Sequence, residues 1–120
     1  MPDLDSRVAD VVLAIEAEMR RVGIWQATPP SVEALSSQEP FCVDTLEFSE
    51  WLQWVFLARM KSILEQGGPL PERSAIYPYA EEWSRSHQWG NARLMNALRN
   101  FDEIIAIHGK RQETNAPTTH

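Results

Sequence analysis

Residues 40–60 read PFCVDTLEFSEWLQWVFLARM, from Pro40 to Met60. Leu52, Val55, Phe56 and Met60, continued by Ile63, fall on one side of a helix turned by about 100° per residue, while Glu50, Gln53, Lys61 and Glu65 fall opposite. The stretch therefore predicts an amphipathic helix that begins between Thr45 and Ser49 and runs to Gln66. Asp44 and Glu47 have the spacing of a capping box, and Gly67-Gly68-Pro69 is a stop. A helix this broadly apolar can be packed on more than one flank.

Its partners are legible on either side. Val8, Val11, Ile15, Met19 and Val22 recur at spacings of three and four, which predicts a helix from Ser6 to Val22. Asp3 or Asp5 can cap it, Arg20 and Arg21 suit its negative end, and Gly23 stops it. Residues 24–35 form an irregular connector with at most a helical turn at 31–35. Pro69, Pro71 and Pro78 predict an extended connection, followed by a short helix from Tyr79 to Arg85. Leu94, Leu98, Phe101, Ile104, Ile105 and Ile107 predict a last helix from Gln88 to His108, ended by Gly109. No strand alternation, hairpin signal or internal repeat interrupts this pattern. The fold class is all-α: a single-domain bundle of three long helices with one or two short ones over residues 1–109. A polar tail without large apolar residues, expected to be disordered, occupies 110–120.

Composition narrows the function classes. The net charge of −6, from 17 acidic and 11 basic residues, repels phosphate backbones, so direct nucleic-acid binding is not expected and a protein partner fits better. Cys42 has no second cysteine to pair with, and the start of the chain lacks the features of a signal peptide, which places the protein in the cytoplasm. No apolar run approaches the roughly 20 residues that span a bilayer, so no membrane is expected. Catalysis finds little support. Glu47 with Glu50 and Glu81 with Glu82 are carboxylates of a kind common on solvated helix faces. His87, His108 and His120 lack metal-ligand spacing, and no phosphate loop occurs. No catalytic residue, metal or cofactor is assigned.

Two constellations stand out. Arg59 falls within the apolar arc of the 40–60 helix, where an unpaired guanidinium would cost several kcal/mol. Asp44, Glu47 or Glu81 pairs with it in a buried ion pair, or it reaches backbone carbonyls at a helix end, or it holds an anion with Tyr77 or Tyr79 beside it. On the opposite stripe Trp54 and Leu57 join Glu50 and Gln53. This is an interaction surface for a protein partner or for a second copy in a homodimer, unless the Trp25 connector or the 79–85 helix covers it. Trp83 and Trp89 read as packing anchors.

In order along 38–60 the chain carries PF, DT, EWLQWV and RM, followed by Pro69-Leu70-Pro71 and Ile76-Tyr77-Pro78-Tyr79. In these segments, and across about residues 8–107, it resembles the YqcC-like family of small bacterial helical proteins. Ala58 and Phe48 stand where members usually and often have proline. The first difference predicts a straighter helix middle, the second a missing helix-start cue. The resemblance implies an all-helical bundle of unassigned biochemical role. It also implies a genomic association with a tRNA pseudouridine synthase, as an accessory or interaction partner of which this chain is expected to act.

Overall fold

The computed structural model describes residues 3–86 and 92–115. Helix α1 spans Leu4–Arg21, α2 Val32–Leu35, α3 Phe48–Trp51, α4 Ala58–Gln66, α5 Ile76–Ser86 and α6 Ala92–Asn115. A 3₁₀ turn, Pro40–Cys42, precedes α3, and a π-helical segment, Leu52–Leu57, joins α3 to α4. The described residues form an all-α bundle. None of their helices is long and apolar enough to cross a membrane.

Helix α1 starts where its chemistry dictates: Asp3 is the cap, its carboxylate accepting from the Ser6 N–H at 2.8 Å. Gly23 takes the left-handed conformation (φ 82°), which lets the Ile24 N–H reach the Met19 carbonyl at 3.1 Å. Val8, Val12, Ile15 and Met19 are buried against α6, through Leu94, Leu98, Phe101 and Ile105. Val11 is only partly buried and Ile107 is 46% exposed, so both apolar stripes are narrower than their sequences predict.

The stretch 48–66 is one helical rod, as expected, but its middle is wound wider than an α-helix. Phe48, Leu52, Phe56 and Met60 are all buried and recur at every fourth residue. In a regular α-helix such a row drifts by about 40° per step. The π segment over Leu52–Leu57 absorbs that drift and keeps the row facing the core. A helical wheel assumes regular α-helical winding through this middle; the π segment departs from it and moves every side chain after it around the axis. The helix starts within the expected Thr45–Ser49 window, but its capping box is not Asp44 with Glu47. Phe48 is the first helical residue, and the Glu47 N–H donates to the Glu50 carboxylate at 2.9 Å, so the box is Glu47 with Glu50. Asp44 instead accepts the Ser37 hydroxyl at 2.5 Å.

Two further boundaries differ. Helix α5 begins at Ile76 and contains Pro78, which sits in the first turn, where a backbone N–H has no intrahelical partner to lose. Its first N–H groups are satisfied from another helix. The Asp102 carboxylate of α6 accepts from Ile76 N–H at 3.1 Å, Tyr77 N–H at 2.8 Å and the Ser74 hydroxyl at 2.5 Å. Helix α6 then runs through Gly109 to Asn115, so Gly109 is no stop and residues 110–115 are helical. The expected start at Gln88, with His87 and Trp89, lies outside the described residues, as does 116–120.

The reason for glycine at 109 is contact. A Cβ there would press into the carbonyl oxygen of Glu72 well inside van der Waals distance. Alanine would gain about 1 kcal/mol of helix propensity, yet overpacking against backbone typically costs about 1–3 kcal/mol. Gly109→Ala is therefore expected to lower, not raise, the urea midpoint. A more stable variant would mean that the 72–75 connector does not lie on α6.

Candidate functional site

The face expected to run through Glu50, Gln53, Trp54 and Leu57 is divided by the π winding. Leu57 is 1% exposed and Gln53 5% exposed, so both belong to the interior and not to a surface. The Trp25 connector is what covers Gln53. The Gln26 N–H donates to the Gln53 side-chain oxygen at 2.8 Å, and the Gln53 amide donates back to the Gln26 carbonyl at 2.8 Å. This two-way bond is what a buried amide needs, because an unpaired one is costly. Trp54 stays half-buried, its indole N–H donating to the Gln26 side chain at 3.1 Å. The Arg20 guanidinium lies 4.4 Å from the centre of the Trp25 ring, and Lys61 reaches the same ring at 5.7 Å. Lys61 also binds the Glu16 carboxylate, and that bond is the main reason the Glu16 carboxyl is held below its ordinary pKa.

Arg59 is exposed, not buried. The wheel misplaced it because the wheel assumes 3.6 residues per turn through a segment that does not have them. None of the expected carboxylates meets it. Asp44 holds Ser37, Glu47 accepts the Trp83 indole N–H at 3.2 Å, and Glu81 lies 3.6 Å from Arg85. Tyr77 and Tyr79 are also engaged elsewhere. The Tyr77 hydroxyl accepts from Arg99 at 2.7 Å, with the guanidinium 4.5 Å from the ring centre. Tyr79 stacks on Phe41 at 4.4 Å, and burial, with the charge of Glu47, pushes its phenol above the ordinary value.

Arg59 opens onto a cleft of about 340 Å³. Trp51, Phe56, Met60, Ile63 and Phe101 supply apolar wall, and the connector 69–76 closes it with Pro69, Pro71, Arg73, Ser74, Ala75 and Ile76. Aromatic contacts run through it: Phe41 meets Trp51 edge-on at 4.7 Å, Trp51 lies 5.7 Å from Phe56, and Phe56 meets Phe101 edge-on at 4.8 Å. Phe41 and the neighbouring Cys42 are both left-handed, at φ 57° and 49°, a conformation that costs L-residues roughly 1–2 kcal/mol each. The stacking of Phe41, and the Cys42 carbonyl accepting from Thr45 and Leu46 at 3.0 and 2.8 Å, hold that turn. Sequence reasoning missed Arg73, Phe41 and Asp102 as site or scaffold residues. None carries a local motif, and each acts through a partner far along the chain.

Residues 7–104 match the family DUF446, described as tRNA pseudouridine synthase C. An uncharacterised protein of Haemophilus influenzae is 48% identical over 68 residues, 57% of this chain and 64% of that protein. A tRNA pseudouridine synthase C of Pectobacterium carotovorum is 44% identical over 73 residues, 61% of this chain but only 19% of that protein. The uncharacterised protein YqcC of Escherichia coli is 34% identical over 100 residues, covering 83% of this chain and 92% of YqcC. The solution NMR structure of E. coli YqcC superposes with a TM-score of 0.74 at 33% identity, over 86% of this chain and 88% of that one. With both its sequence and its arrangement of helices shared along most of its length, the chain belongs to the DUF446 family of YqcC-like proteins.

Proposed function

We propose that this chain is a non-catalytic helical module that binds a tRNA pseudouridine synthase and leaves the chemistry to that enzyme. The observation that carries the reading is the Pectobacterium protein, in which a segment 44% identical to this chain makes up 19% of a protein named tRNA pseudouridine synthase C. Fusion puts two modules at millimolar effective concentration, so modules joined in one chain need little interface of their own, whereas separate chains need a real one. The net charge of −6 complements the basic surface that a tRNA-binding enzyme presents. Of the face first expected to dock, Trp54 and Glu50 are the residues still reached by solvent, and a half-buried tryptophan is the kind of anchor that dominates binding energy.

Sedimentation of the chain with the tRNA pseudouridine synthase of the same organism tests this. A stoichiometric complex is expected, weakened by about 2 kcal/mol, roughly thirtyfold, in Trp54→Ala. The variant also loses the Gln26 bond, so its helix content and urea midpoint are read alongside. Absence of a complex at tens of micromolar, with pseudouridine formation in tRNA unchanged by the chain, would refute the proposal. Self-association of the chain alone would instead assign the face to a homodimer.

A further inference from the structure

We propose that the cleft beneath Arg59 and Arg73 binds a small molecule with a flat apolar body and one anionic head, a property independent of any synthase partner. The cleft wall is aromatic and aliphatic, from Trp51, Phe56, Met60 and Phe101, and its volume of about 340 Å³ falls within the range of sites that enclose small ligands. Its charge is the opposite of the molecule's. The chain as a whole carries an excess of acid, yet the cleft is lined by two arginines and no carboxylate. Both arginines are exposed, and among the described residues neither is in an ion pair. A planar guanidinium offers paired N–H donors that match a carboxylate or phosphate. Below it, rings such as Trp51 and Phe101 offer the flat surface on which an apolar body lies. Ser74 lies at the cleft edge, held by Asp102, which fixes the connector that carries Arg73. The π-helical turn contributes Phe56 to the same wall, and such turns are frequent at functional sites.

The probes are 1-naphthaleneacetate and its uncharged counterpart 1-naphthaleneacetamide, titrated into the ¹⁵N-labelled full chain and followed by NMR. Saturable shifts are expected at the Trp51 indole N–H and at the amides of Ser74, Ala75 and Ile76. The carboxylate is expected to bind about fivefold or more tightly than the amide. In the Arg59→Gln, Arg73→Gln double variant, both sites being exposed, the fold is retained and that preference vanishes. Four results would overturn the proposal: no saturable shift with the carboxylate, equal affinity for the two probes, shifts centred away from the cleft, or a preference that survives in the double variant.

Discussion

Phe48→Ala is expected to lower the unfolding free energy by about 3–5 kcal/mol, the range for truncating a fully buried phenylalanine. Phe48 is 2% exposed and its ring lies 6.1 Å from Trp51, 5.4 Å from Tyr79 and 5.7 Å from Trp83. It joins the start of α3 to α5 through aromatic contact on three sides. Against a total stability of about 5–15 kcal/mol for a domain of this size, the loss would leave little margin. Phe48 is also the first residue of α3, where proline is sterically welcome. Phe48→Pro would keep the helix start but lose the ring, so it is expected to be destabilised nearly as much as the alanine variant. Urea unfolding followed by circular dichroism decides the matter. A loss below about 1 kcal/mol would mean that the cluster closes over the gap or is not formed.

Asp102→Ala is expected to cost about 2–4 kcal/mol. The carboxylate satisfies two N–H groups at the start of α5 and the Ser74 hydroxyl, and loss of a helix cap alone costs up to about 2 kcal/mol. Hydrogen bonds to a charged acceptor add to that, although the site is only part-buried and water can replace some of them. Asp102→Asn keeps an acceptor and should lose about half as much. Hydrogen exchange gives the local signature: the Ile76 and Tyr77 amides should exchange faster in Asp102→Ala, while the amides of α1 follow only the global change. Unchanged exchange at those two amides would show that another group caps α5.

Much of the fold was legible because it depends on neighbours in sequence. Asp3, Gly23 and Gly67 act on residues one helical turn away, so the ends of α1 and of the 48–66 rod can be read from composition alone. The apolar positions of α6 were legible for the same reason. Gly109 reads as a stop because a glycine late in a helix looks the same whether it ends the helix or admits a crossing backbone, and only the approach of Glu72 separates the two. Pro78 reads as part of an extended connection because the cap that starts α5 ahead of it, Asp102, lies 26 residues from Ile76.

The candidate site fared less well. Its residue types are legible, but Arg59 is expected inside and lies at the surface, and periodicity leaves open whether Gln53 and Leu57 face a partner or are covered within the chain. The misplacement of Arg59 has one source. A helical wheel carries a fixed turn per residue, and the π winding over Leu52–Leu57 breaks that assumption where the site lies.

By itself, then, the sequence determined an acidic, all-helical chain with its main helices and most of their apolar faces, because periodicity and capping are local properties of consecutive residues. Tertiary structure alone decided the winding of the central helix, the covering of Gln53 by Gln26, the capping of α5 by Asp102, and the cleft that leaves Arg59 and Arg73 facing solvent. Each of these joins groups far apart along the chain. Their partners are chosen by which arrangement buries the aromatic rings and satisfies the backbone at once, and no local pattern encodes that choice.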